Sequence, residues 1–253
     1  MAEPSFEQSV FINCPFDEDY EPILQAMLFC IVFLGFSPRL ATERNDSGEN
    51  RLEKIRGLIE RSKYSIHDLS RCQAQRKGEH FRLNMPFELG IDFGCRQYFG
   101  RGREEKRFLI LEAKRYRFQA AISDISGSDI CAYGDDPQLA PQNAVKHVRN
   151  WLVSEAAAMT VGAKKIWDSY CDFQECISRR SSRKAPVKTR SKNIRQASYW
   201  RPCKNGWHWG VPSHIQLLHE PCILADVLEP QFRFLAHQAL DKVAGLAGFV
   251  LVD

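Results

Sequence analysis

The chain has 253 residues, 44% hydrophobic and 26% charged, with a formal net charge of +4, which suits one sizeable folded domain plus an appendage rather than a disordered or fibrous chain. No run of 18 uninterrupted apolar residues is present, and the longest candidate, Ile23 to Phe36, reads as a buried helix rather than a membrane span. The start, Met1-Ala2-Glu3-Pro4, lacks the basic and apolar regions of a secretory signal, so a cytoplasmic protein without membrane association is expected.

Val10-Phe11-Ile12-Asn13 is a short apolar run that breaks into the polar turn Cys14-Pro15-Phe16-Asp17, the pattern of a buried strand feeding a loop. From Tyr20 to Leu34 the apolar residues recur at helical spacing, and Gly35 is placed to stop that helix. Phe36 to Ala41 reads as a second strand and Thr42 to Gly48 as a polar loop; Leu52, Ile55, Leu58 and Ile59 then form the stripe of a helix ending near Ser62. Tyr64 to Leu69 is the third strand, followed by a charged loop from Arg71 to Gly78. Leu83 to Gly90 opens the next helix, with Asn84 as a candidate cap, Pro86 in its first positions and Glu88 as a carboxylate in its first turn. Leu89, Ile91, Phe93, Cys95 and Tyr98 are read as its core face. Phe108 to Leu111 and Ser128 to Tyr133 are the fourth and fifth strands, and Pro137 to Trp151 and Ala163 to Ile177 two further helices. This alternation over residues 8 to 152 predicts an α/β fold: a flavodoxin-like, doubly wound, parallel five-stranded sheet. A C-terminal helical and basic extension follows it.

The domain is drawn at residues 8–177, a basic linker at 178–206, and a further segment of unknown role at 207–253 with a helix expected from Gln231 to Ala244. Between Cys176 and His219 stand ten Lys or Arg and no acidic residue, so the rest of the chain holds 25 basic against 31 acidic residues and the basicity is local. That arm, residues 179–204, with Trp200, Trp207 and Trp209 beside it, could meet nucleic acid by charge and stacking; a solvated linker is the preferred reading. Nine cysteines, scattered among apolar neighbours, suit reduced core residues. Cys203, His208, His214, His219 and Cys222 match no common zinc spacing, and no metal or resident cofactor is expected.

In a doubly wound sheet the loops after the strands gather at one edge. They bring together Asn13, Phe16 and Asp17 from the first, Arg44, Asp46 and Ser47 from the second, and Asp68 and Glu88 from the third. There is no GxGxxG after the first strand and no GxxxxGK[ST] anywhere, which argues against a dinucleotide oxidoreductase or a P-loop NTPase. Carboxylates beside an aromatic ring suit cleavage at a ribosyl anomeric carbon, whose transition state is oxocarbenium-like. Simpler readings stand beside this one: a carboxylate in a first helical turn, as Glu88 is read, complements the helix dipole, strand-end aspartates often cap turns, and Asn13 and Ser47 are common turn formers. His67, next to Asp68, points to the other side of its strand and suits a core histidine.

The segments Phe11-Ile12-Asn13-Cys14-Pro15-Phe16-Asp17, Asp46-Ser47-Gly48-Glu49, Ser65-Ile66-His67-Asp68-Leu69-Ser70 and Asn84-Met85-Pro86-Phe87-Glu88-Leu89-Gly90 resemble the TIR-like and nucleoside 2-deoxyribosyltransferase-like superfamily. More narrowly, they resemble a bacterial group of predicted nucleotide-binding TIR-like proteins. The resemblance spans about residues 8 to 175. It implies that Glu88 is catalytic toward the N-glycosidic bond of NAD or a nucleoside and that Asp68 orients the sugar or base. Asn13, Phe16 and Asp17 would line the ligand, with Asp46 and Ser47 reaching it from the second loop. It further implies NAD as substrate rather than cofactor, activation by homo-oligomerisation or a partner, and a defence setting. A non-catalytic nucleotide-signal module and a deoxyribosyltransferase are the alternatives; Asn84-Met85-Pro86 stands where the transferases carry a Gly-Thr pair.

Overall fold

The computed structural model describes residues 4–43, 48–72, 82–120 and 122–184. Five strands, β1 (Ser9–Asn13), β2 (Ser37–Arg39), β3 (Tyr64–Asp68), β4 (Arg107–Glu112) and β5 (Ile130–Ala132), form one sheet in the order β2-β1-β3-β4-β5. Every pairing is parallel. This is the flavodoxin-like, doubly wound α/β arrangement. β1 and β3 are buried along their whole length, as central parallel strands covered on both faces must be.

Helices α1 (Glu21–Phe33), α4 (Ala140–Ala156) and α5 (Ala163–Lys184) pack together on one face; α2 (Arg51–Glu60) and α3 (Asn84–Tyr98) pack together on the other. The period of two in the strands sorts the side chains between these layers. Val10, Ile12, Tyr64 and Ile66 enter the core under α1, while Phe11 meets α2.

Local sequence explains the ends. Gly35 has φ 87°; its N–H donates to Val32 O (2.9 Å) while Phe36 N–H donates to Ile31 O (3.0 Å). That pair of bonds closes α1 in a Schellman motif, which requires a left-handed residue and therefore favours glycine. The Asn50 side chain accepts from Leu52 N and Glu53 N and so caps α2. Pro38 sits in β2, an edge strand, where a missing donor is tolerated.

Several details differ from expectation, among them α4, expected at Pro137 to Trp151 and found at Ala140–Ala156. α3 begins at Asn84 itself, with Leu83 in the capping position and no side-chain cap bond. Glu88 is thus the fifth helical residue, past the first turn. The buried face of α3 is Met85, Glu88, Leu89 and Asp92, while Phe93 and Tyr98 are exposed. The residues first assigned to the core repeat mostly every second position, a strand period that winds around a helix instead of following one side. α5 runs on to Lys184, past the expected end at Ile177. Among the described residues no helix is long and apolar enough to cross a membrane. The predicted helix at 231–244, the Cys203–Cys222 group, most of the basic arm, Arg44, Asp46 and Ser47 lie outside the described residues.

Candidate functional site

The order β2-β1-β3 makes the gap between the C-terminal ends of β1 and β3 the topological switch point, the crevice where ligands of open α/β sheets bind. Asn13 ends β1, Asp68 ends β3, and α3 rises from the loop beyond β3. Cys14, the first residue after β1, has its thiol raised well above the ordinary value, by burial first and then by the charges of Asp68, Glu88 and Asp17. The three carboxylates therefore share one neighbourhood, and their roles within it differ sharply.

Asp17 is spent on structure. Its carboxylate accepts from Tyr20 N (3.1 Å) at the start of α1, from Arg71 Nε and Nη2 (3.2 and 3.0 Å), and from Arg82 Nη1 (3.2 Å). Phe16, beside it, is half-buried and packs against the core under α1.

Asp68 is fully buried on the α1 side of the sheet. Tyr20 OH donates to its Oδ2 (2.9 Å) and Ser70 N–H to its Oδ1 (2.8 Å). Burial raises its carboxyl, against hydrogen bonds from Ser70, Tyr20 and Tyr133 that favour the anion. The geometry is that of a strand-end aspartate closing its own turn and tying β3 to α1 and the segment after β5.

Glu88 is the exception. It is 8% exposed, and among the described residues it makes no hydrogen bond or ion pair. Desolvation pushes its carboxyl up to about 7, opposed by the positive charge of Arg51 at the start of α2. A helix dipole acts within the first turn, so the fifth position of α3 removes the simplest structural explanation for this carboxylate.

Asn13 holds the helix that carries Glu88. Its Nδ2 donates to Met85 O (2.8 Å), in the first turn of α3, and lies 3.0 Å from His67 Nδ1. Because Met85 O can only accept, that atom of Asn13 is the amide nitrogen. His67 Nδ1 is then an acceptor and the ring proton sits on Nε2, which donates to Asp92 Oδ2 (3.1 Å). Asp92 in turn lies 3.1 Å from Lys106 Nζ, and Lys106 Nζ also donates to Ile59 O (2.8 Å) and to Ser62 O. His67, Asp92 and Lys106 are fully buried. Burial opposes ionisation of Asp92, but the His67 bond and the Lys106 charge hold its carboxyl below the ordinary value.

Of the residues assigned from sequence, the structure thus brings Asn13, Asp17, Asp68 and Glu88 to one edge, with Phe16 flanking them. It engages Asp17 and Asp68 in hydrogen bonds and leaves Glu88 unpaired among the described residues. Tyr20, Arg51, Asp92 and Lys106 were not anticipated. Two of them were readable: Asp92 stands one helical turn after Glu88 on the same face, and Arg51 opens the helix that follows the second loop. Among the described residues no cluster of His, Cys, Asp and Glu forms a metal site. In comparisons with known protein families, curated proteins and solved structures, none matches this chain.

Proposed function

We propose that the protein is a TIR-like hydrolase that cleaves the N-glycosidic bond between ribose and nicotinamide in NAD or a related nucleotide, with Glu88 as its catalytic carboxylate. The observation that carries this reading is the contrast among the three neighbouring carboxylates: Asp17 and Asp68 are committed to hydrogen bonds, and Glu88 is buried with no partner among the described residues. One free carboxylate matches a substrate whose leaving group is already cationic. Nicotinamide departs as a neutral molecule with the electrons of the C1′–N bond, so no general acid has to protonate it. The carboxylate faces the oxocarbenium that remains, water adds to C1′, and one proton is released. A free deoxynucleoside makes a harder demand, since its base leaves well only when an acid protonates it. The buried carboxylate also gains a counter-charge when the pyridinium enters, which favours binding of the cation. The resemblance adds that turnover awaits assembly or a partner, in a bacterial defence setting.

Incubation of the full chain with NAD should release nicotinamide, separable by chromatography, and Glu88→Gln should abolish it. Release that survives both Glu88→Gln and Glu88→Ala removes Glu88 from the mechanism. A nucleotide-binding module without turnover is the second reading. It is favoured by the complete burial of Asp68, which leaves that carboxylate unable to grip a ribose hydroxyl in this state. Calorimetric binding of NAD with no product, in a concentrated sample, would select it.

A further inference from the structure

α3 carries a second surface, about a quarter turn round the helix from Glu88. Phe87, Gly90, Gly94 and Tyr98 follow one another at spacings of three and four and so line one side of the helix, with the half-buried Ile91 at its edge. Phe87 is 58% exposed and Tyr98 89%. Large apolar side chains gathered on one exposed stripe mark a contact surface more often than an ordinary solvated face. Beside the stripe, α2 and α3 enclose a groove of about 280 Å³ lined by Arg56, Ile59, Glu60, Ile91, Gly94 and Tyr98 among others.

Two features point to what fills it. A Cβ added at Gly90 or Gly94 would meet nothing within 4 Å, so packing inside the chain does not call for glycine there, although glycine is among the least favourable residues for a helix interior. A second backbone crossing close to α3 would call for it. The rim charges are self-complementary. Arg56 makes no hydrogen bond or ion pair among the described residues; the Glu60 carboxylate has Arg103 Nη2 at 4.0 Å, while Arg103 Nε donates to the Glu60 backbone carbonyl at 2.8 Å. The two stand one turn apart on α2, so a two-fold axis passing between them sets each Arg56 against the other copy's Glu60. This is the i-to-j, j-to-i pairing of an isologous interface.

We propose that the outward face of α3, rimmed by Arg56 and Glu60 of α2, is a two-fold docking surface for a second copy of this chain. It gives the assembly invoked above a location. Its test reads association rather than turnover, so this proposal and the assignment of Glu88 stand or fall separately.

Sedimentation velocity of the full chain over a concentration series tests it. The unaltered chain should dimerise, and Tyr98→Glu should weaken the dimer about a hundredfold or more, as for loss of a central aromatic anchor, with the circular dichroism spectrum retained. Gly94→Ala should weaken association while leaving thermal stability equal or higher. Arg56→Glu and Glu60→Arg should each weaken the dimer about tenfold through like-charge contact, and the double exchange Arg56→Glu/Glu60→Arg should restore it. A chain that remains monomeric throughout the series overturns the proposal. If α3 is then protected from deuterium exchange, the chain's own residues 185–253 are the occupant instead. A dimer indifferent to Tyr98→Glu and to both charge reversals overturns it equally, since association then uses another face.

Discussion

Glu88 combines burial, the absence of a partner among the described residues and a carboxyl raised to about 7, and these fix both how it should titrate and what it costs the fold. If its anion faces the oxocarbenium, NAD cleavage should rise with pH through about 7 and level off above, measured as initial rates on the full chain. The stability consequence has the opposite sense. A carboxyl whose folded value is raised binds its proton more tightly in the folded state, so its contribution is fully present below the ordinary glutamate range and is lost as pH rises through about 7. Glu88→Gln should therefore raise the melting temperature at pH 8 and leave it nearly unchanged at pH 5. The difference between the two pH values should be on the order of 3 kcal/mol from the size of the shift. Asp68 obeys different logic. Tyr20→Phe removes one of the donors on its buried carboxylate and should cost about 1–3 kcal/mol of stability in urea unfolding. Residue identity at the site was legible because strand-end polar residues have few places to go. The division of labour was not, because it depends on Arg71, Arg82 and Tyr20 arriving from distant segments to occupy two of the three carboxylates.

Elements were recognisable where hydrophobic period and punctuation agreed. The apolar run at Val10–Ile12, the stripe ending at Gly35 and the stripe from Leu52 to Ile59 all announced elements that the fold contains. α3 was harder, because its buried face includes two carboxylates, Glu88 and Asp92, that hydropathy assigns to solvent. Asp92 is buried because His67 and Lys106 meet it there, and those partners lie 25 residues before and 14 after it. The chain from Met85 O through Asn13, His67 and Asp92 to Lys106 pins the first turn and the middle of α3 to β1, β3 and the end of α2. Its weakest exchange should be the removal of one charge: Asp92→Ala leaves Lys106 buried without a counter-ion and should cost about 3–5 kcal/mol. The double change Asp92→Ala/Lys106→Met should cost less than the sum of the single changes, a coupling that a double-mutant cycle in urea measures directly. Asn13 also acts at this scale, as the bond between β1 and the helix that carries Glu88.

At the scale of the molecule, the alternation of strands and helices was enough to identify a doubly wound parallel sheet, since handedness and crossover rules leave few other topologies. Where the domain ends was less legible, because the apolar stripe of α5 stops at Ile177 while the helix runs on to Lys184 through a sequence of Ser, Arg and Lys. Ile166, Tyr170 and Phe173 nonetheless join the core beneath α1, which makes α5 part of the fold. Phe173→Ala should lower global stability by about 3–5 kcal/mol, with the denaturant slope unchanged if the whole unit unfolds together. The two sheet edges carry a further consequence. β2 and β5 are three residues each, and a proline fits an edge strand with its nitrogen turned away from the ladder. Backbone groups alternate sides along a strand, so Ser37 and Arg39 direct their N–H groups inward while Pro38 has none to direct outward. The rim at β2 offers an incoming strand no donor along its entire length. Addition of a second copy's strand is thereby disfavoured at that margin, which leaves β5 as the one edge of the sheet with donors to offer.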